Sequence, residues 1–212
     1  MQANYEILEL FPTPVYTTII PNQFAKAISV FDKQDMNTDS DHDNYGFRSK
    51  DAYILDKPEC KELATFILSN VLIYSEQLGY DYNQYRFGQS WISVKAPGQH
   101  HTAHTHPNSL ISGVLYYGPT EEKTPAIKFH KHAGAVNASY IAPRKVRDKR
   151  NYKYAQEEFS IMFQPGLLLL FPSYLMHSVP LNKTNTARHS LAFNVVPTIG
   201  FGEEESLTEL KF

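Results

Sequence analysis

The sequence predicts a mainly β protein, a two-sheet jelly roll with N-terminal helices packed against it. Three observations carry that prediction. A clear helical stripe is confined to the part of the chain before Tyr82. From Tyr82 onward, short β-branched or aromatic runs are separated by Pro, Gly and Asn. The chain also holds 14 Tyr and 13 Phe, residue types that favour strands and a large aromatic core. Helices followed by a run of short strands is the order expected of a helical layer on a sheet pair.

Each element can be justified in turn. Leu8 to Ile20 reads as extended, because Pro12 and Pro14 forbid a regular helix. Asn22 is placed to cap a helix over Gln23 to Phe31. Gln34 to Tyr45, rich in Asp, Asn and Ser, reads as a mobile loop. Leu63, Ile67, Val71, Tyr74 and Leu78 recur at three- and four-residue steps, which predicts a helix over Pro58 to Leu78, ended by Gly79. Strands are expected at Tyr85 to Ala96, Ser109 to Tyr117, Ala126 to Lys131, Phe159 to Phe163, Gly166 to Phe171 and Ser190 to Pro197. The basic segment Arg144 to Lys153 reads as a solvated loop, or as a lid facing a substrate. The organisation is one domain over 1–212, with an extended segment and helices in 1–81 and the β core in 82–200.

The bulk numbers exclude several classes. Hydrophobic residues make up 42% and charged residues 20%, ordinary globular values. The net charge of -2 gives no electrostatic footprint for nucleic acid or an anionic membrane. Met1 to Glu9 has neither the basic start nor the apolar run of a signal peptide. The run Gly166 to Phe171 is far too short to span a bilayer. Cys60 is the only cysteine, so an internal disulfide and a thiolate cluster are excluded, and a reducing cytoplasmic setting fits.

Six of the 9 His fall between His100 and His132. His104 and His106 are two apart, so on an extended chain they point to one side and can share a metal. Pro107 stops strand pairing and puts the pair at a strand end. His100 shares their parity and competes as a ligand in place of His106 if the chain stays extended that far, whereas His101 points the other way and substitutes only if the chain bends before His104. His177 follows a leucine-rich run that reads as a buried strand, where an unpaired imidazole would be costly. A metal would satisfy it, and so would a backbone carbonyl. Arg188 and Ser190 share one face of the last strand. Turned inward, they form a carboxylate clamp, since guanidinium grips carboxylate through two parallel hydrogen bonds. His189 alternates with them and faces outward. Trp91 reads as core. Asn108, Ser109 and Ser112 either form the turn or orient the histidines. His130 and His132 read as surface residues, or else as substrate-facing ones.

Taken in order, His104-Thr-His-Pro-Asn-Ser, Ser112-Gly-Val-Leu-Tyr-Tyr, Pro165-Gly-x4-Phe-Pro-Ser-x-x-x-His and Arg188-x-Ser-x-x-x-Asn resemble the iron(II)/2-oxoglutarate-dependent oxygenases. The likeness is greatest to a small bacterial and phage group, and Leu10 to Tyr16 resembles its opening as well. The resemblance implies a double-stranded β-helix, or cupin-like barrel, and an oxidoreductase using iron(II), 2-oxoglutarate and molecular oxygen. It implies His104, His106 and His177 as metal ligands, Arg188 and Ser190 as the hold on the far carboxylate of 2-oxoglutarate, and Tyr117 as a helper there unless Tyr116 takes the inward position. The substrate would be a small molecule or a protein side chain, and pairing through helices or edge strands would give a homodimer.

The sequence departs from that family pattern at one ligand. Two residues after the first histidine the usual residue is a carboxylate, and here it is His106; no Asp or Glu occurs between Tyr82 and Thr120. Three neutral imidazoles leave a divalent ion its full charge, which strengthens its hold on a dianion. They also discriminate less between iron, zinc, copper and nickel. Two rivals therefore stand beside the oxygenase: a three-histidine cupin-like dioxygenase without 2-oxoglutarate, and a non-catalytic metal-binding module.

Overall fold

A computed structural model describes residues 6–38, 45–119, 125–131, 154 and 156–212. The chain enters through β1 (Tyr16–Ile19), and a 3-10 turn over Asn22–Phe24 runs into α1 (Ala25–Phe31). Asn22 does not cap this helix: it lies inside the turn, and the side chain of Pro21 before it makes no capping bond. β2 (Met36–Thr38) and β3 (Phe47–Ser49) pair with each other, so part of the segment expected to be loop is strand. Residues 39–44 of that segment lie outside the described residues, as does Arg144 to Lys153.

Pro58–Cys60 forms a 3-10 turn with proline at its first position, where a missing N–H costs nothing, and leads into α2 (Lys61–Gln77). Leu63, Ile67, Val71 and Tyr74 are the buried stripe that the spacing predicted. Gly79 follows in the left-handed region at φ +74°, a conformation that ends helices and suits glycine. No helix among the described residues is long and apolar enough to cross a membrane.

The remaining strands are β4 (Tyr85–Lys95), β5 (His101–His104), β6 (Ile111–Tyr117), β7 (Pro125–His130), β8 (Glu158–Met162), β9 (Leu167–Pro172), β10 (His177–Val179) and β11 (Arg188–Pro197). They form two antiparallel sheets. The larger has the order β1-β9-β6-β11-β4-β3-β2 and the smaller β5-β10-β7-β8. From β4 to β7 and again from β8 to β11, each strand lies in the other sheet from its predecessor. This winding is the double-stranded β-helix.

At the centre of the larger sheet β6 and β9 are buried on both faces, and strand alternation assigns each residue to a side. Ile111, Leu115 and Tyr117 of β6, Leu168 and Leu170 of β9, and Leu191, Phe193 and Val195 of β11 pack under the helices with Leu63, Ile67 and Val71. Val114, Tyr116, Leu167, Leu169 and Phe171 point into the barrel and meet Ile127 and Phe129 of the smaller sheet. Hydrogen bonds tie the helical layer down: Tyr74 Oη donates to the Pro14 carbonyl at 2.8 Å, and Tyr16 Oη to Asn70 Oδ1 at 2.6 Å. Every residue of β6 and of β9 is buried, which is why those runs are almost uninterruptedly apolar.

Gly113 sits at the tightest point of this packing. A Cβ there would overlap the Phe193 ring and lie 2.9 Å from Leu170 Cδ2. Gly113→Ala is therefore expected to destabilise the fold by about 1–3 kcal/mol, the usual cost of overpacking a core. Urea unfolding of the two proteins compared under one set of conditions measures it.

Candidate metal centre and cofactor cavity

Three short elements bring the histidines together. β5 ends at His104, the chain turns through His106 and Pro107, and β10 starts at His177 directly opposite His104. The His106 N–H donates to the Ser173 carbonyl at 2.9 Å, which ties the turn to the end of β9. One imidazole nitrogen from each of His104, His106 and His177 lies within 4.8 Å of the other two.

The other ring nitrogens are engaged. His104 Nδ1 donates to the Thr102 carbonyl at 2.8 Å, and His177 Nδ1 to the Leu175 carbonyl at 2.9 Å. A carbonyl only accepts, so these bonds put the proton on Nδ1 and leave the Nε2 lone pair. His106 Nδ1 lies 2.7 Å from Asn194 Oδ1 and 2.8 Å from Ser112 Oγ. Burial holds His177 far below the usual imidazole range, to about 3, with the neighbouring His104 pushing the same way. Burial also lowers His106, against the hydrogen bond that its Nδ1 makes to Asn194 Oδ1. Two of the three rings are thus held neutral, the form that binds a metal.

The histidines stand at a cavity of about 240 Å³ between the two sheets. Across it lie Arg188 and Ser190, on the inward face of β11. Arg188 is 4% exposed, and its Nη2 donates to the Pro180 carbonyl at 3.1 Å. Burial lowers its pKa, opposed by the nearby Tyr116, yet a guanidinium keeps its charge. Val114, Ala126, Ile127 and Phe171 supply an apolar wall. The donor set fits a divalent metal: three convergent imidazoles, each with its second nitrogen engaged, as metal-binding histidines require.

The structure revises several residues read from the sequence. Tyr117 does not reach the cavity. Its ring packs on Phe31 at 5.1 Å in the helical layer, because it shares the parity of Ile111 and Leu115; the inward tyrosine is Tyr116. Trp91 is not core: it shares the inward face of β4 with Ser93 and Lys95, lines the cavity, and lies 6.0 Å from the His106 ring. His101 does line the cavity, 4.4 Å from the His104 ring. The bend this requires is an irregularity in the pairing: His177 faces His104, but Val179 faces His101, so β5 carries one extra residue. His100 turns instead to Tyr45, at 5.7 Å. Asn108 adopts φ +56° in the turn, while Ser109 and Ser112 are hydrogen-bonded behind His106. His130, on the outer face of the smaller sheet, bonds Ser178 at 2.8 Å, and His132 lies outside the described residues. His189 faces away from the cavity, between Tyr117 and Asp32.

The sequence reading carried Asn194 and Ser173 only as members of the runs that resemble the family, and gave no role to Lys95 or Arg48. Asn194 was within reach, since it continues the alternation Arg188, Ser190, Ala192. Lys95 and Arg48 enter only through the register Arg188↔Lys95 and Arg48↔Ser93.

The fold is that of the 2-oxoglutarate oxygenases. A Pseudomonas putida prolyl-4-hydroxylase superposes with a TM-score of 0.57 at 14% identity, over 86% of this chain and 92% of its own. HygX from Streptomyces hygroscopicus, with nickel, 2-oxoglutarate and hygromycin B bound, gives 0.59 at 13% identity, over 89% and 84%. An oxidoreductase of the 2OG-Fe(II) oxygenase family from Burkholderia pseudomallei gives 0.57 at 10%, over 84% and 83%. No curated protein matches the sequence. The chain belongs to the family described as "Putative 2OG-Fe(II) oxygenase", whose model matches residues 89–194 and so spans all three histidines, Arg188 and Asn194. As a member it is an oxidoreductase that uses iron(II) and 2-oxoglutarate.

The two tyrosines should part in experiment. Tyr117 Oη is buried without a hydrogen-bond partner among the described residues, so Tyr117→Phe removes a polar atom that costs free energy. That variant is expected to hold or gain up to about 1–2 kcal/mol in stability and to bind 2-oxoglutarate like the parent protein. Tyr116→Phe is expected to weaken 2-oxoglutarate binding instead. Thermal unfolding and co-substrate titration read both.

Proposed function

We propose that His104, His106 and His177 hold the iron of a 2-oxoglutarate-dependent hydroxylase, and that Arg188 with Ser190 holds the far carboxylate of 2-oxoglutarate. The observation that carries this reading is the placement of three imidazoles and one buried guanidinium on the walls of a single cavity. When bound, iron with 2-oxoglutarate and oxygen supplies the oxidising power, and succinate and carbon dioxide leave as the substrate gains a hydroxyl.

The protein residues then have separate tasks. His106 and His177, kept neutral by burial, present lone pairs without needing to lose a proton, and all three rings are fixed through Nδ1. They leave the centre two positive charges, which favours a dianionic co-substrate. Arg188 meets a carboxylate in a poorly hydrated place, where a charge-assisted bond is stronger than in water. Ser190 adds a hydroxyl two residues along the same strand face. Phe171, Ile127 and Val114 keep water from the reacting end. Substrate, a small molecule or a protein side chain, meets first Arg48, the exposed residue among those described that line the cavity. No side chain is assigned as general acid or base.

Anaerobic addition of iron(II) and 2-oxoglutarate is expected to produce the weak visible charge-transfer band of a chelated 2-oxo acid. His177→Ala should abolish it. Arg188→Ala should raise the 2-oxoglutarate concentration needed by roughly 10- to 150-fold, the equivalent of about 1.5–3 kcal/mol for hydrogen bonds to a charged group. Iron binding without a band would count against this reading and favour a three-histidine dioxygenase or a binding module.

A further inference from the structure

Behind His106 a chain of side chains runs away from the cavity. Asn194 Oδ1 lies 2.7 Å from His106 Nδ1, and Ser112 Oγ lies 2.8 Å from the same nitrogen. Ser112 Oγ is also 2.9 Å from Asn194 Oδ1 and 2.8 Å from Ser173 Oγ. Ser173 Oγ donates to Ser109 Oγ at 2.8 Å, and Ser109 Oγ reaches the carbonyls of Ile111 at 3.0 Å and Val195 at 3.3 Å. Ser112 and Ser173 are at most 1% exposed.

The far end fixes the direction of this chain. Carbonyl oxygens only accept, so Ser109 donates to them and Ser173 donates to Ser109. Asn194 Oδ1 only accepts, so His106 Nδ1, 2.7 Å away, is the donor to it, and the one proton of Ser112 goes to Ser173 or to Asn194 Oδ1. Asn194 comes there by plain alternation on β11, facing Ser112 in the regular β6–β11 register. Among the three histidines, His106 alone takes its Nδ1 partner from side chains; His104 and His177 use backbone carbonyls two residues away.

We propose that Asn194, supported by Ser112, Ser173 and Ser109, is the positioning residue for His106, fixing it as the Nδ1-protonated tautomer so that Nε2 faces His104 and His177. A carboxylate binds a metal with either oxygen and has no tautomer to fix, whereas an imidazole in that position binds only when the proton sits on the remote nitrogen. The replacement of carboxylate by histidine thus comes with an acceptor behind it. This inference rests on the reading of His106 as a metal ligand.

Metal-free protein titrated with cobalt(II), followed by calorimetry and by the visible ligand-field bands, tests it. Asn194→Leu, which removes the acceptor at similar volume, is expected to weaken cobalt(II) binding by about 10- to 100-fold, the range for losing an outer partner of a metal-bound histidine. Asn194→Asp keeps an acceptor oxygen and should restore affinity to within a few fold, with the parent spectrum. His106→Ala should bind at least as weakly as Asn194→Leu. If Asn194→Leu binds like the parent while His106→Ala does not, the positioning role is wrong and the ligand reading stands. If His106→Ala binds like the parent, the ligand reading itself fails. If Asn194→Asp is as weak as Asn194→Leu, the acceptor oxygen is not what matters, and the inference falls. Should Asn194→Leu not fold, as judged by circular dichroism, Ser112→Ala decides: weaker binding with an altered spectrum supports the inference, and unchanged binding overturns it.

Discussion

Strand alternation on β11 is the constraint on which the rest of the molecule depends. β11 lies between β4 and β6, paired on both sides over most of its length. Its odd-numbered residues Leu191, Phe193 and Val195 are fully buried beneath the helices. Its even-numbered residues face the barrel, with Arg188 and Ser190 on the cavity and Asn194 beside His106. A slip of one residue would drive an arginine and an asparagine under the helices and turn three apolar side chains into the cavity. The core therefore specifies the site: the free energy of burying Leu191, Phe193 and Val195 also sets where Arg188, Ser190 and Asn194 stand.

The histidine cluster is a conflict that the fold holds in place. Three imidazoles share a small volume, and protonating His106 or His177 is opposed by burial and by the neighbouring rings. Left alone, neutral imidazoles at this separation would gain little from one another. Their convergence is imposed by β5–β10 pairing, by the Leu175 and Thr102 carbonyls, and by the tie from His106 to Ser173. All of these ties are made through the backbone or by Nδ1, so the cavity side of each ring is kept for something else. An ion of charge two between them would supply the attraction that the rings lack.

How much could be read in advance varied with the range of the interaction. The α2 stripe, the fully apolar β9 and the spacing His104-x-His106 depend on neighbours a few residues away, and the sequence shows them directly. β2 and β3 went unseen because three-residue strands carry almost no periodic signal; they exist through pairing to each other and to β4. The capping role expected of Asn22 failed for a similar reason, as the helix was entered through a 3-10 turn one residue earlier. Tyr116 and Tyr117 are adjacent and chemically alike, so nothing local says which faces inward. Trp91 reads as core on size alone, and only the face it shares with Ser93 and Lys95 puts it on the cavity.

By itself the sequence determined the composition of the site: which residue types exist, in what order, and that His106 stands where no nearby Asp or Glu can substitute. It also determined the alternation that any strand through Arg188 to Asn194 must follow, because that period is a property of the extended backbone. The tertiary structure alone decided what meets what. Asn194 and Ser112, distant in sequence from His106 or on the next strand, become its partners through the pairing of β11 with β6. His101 enters the cavity through one extra residue in β5, and Lys95 through its register with Arg188. Register is fixed by the burial of whole faces at once, a sum over many side chains that no short window of sequence contains.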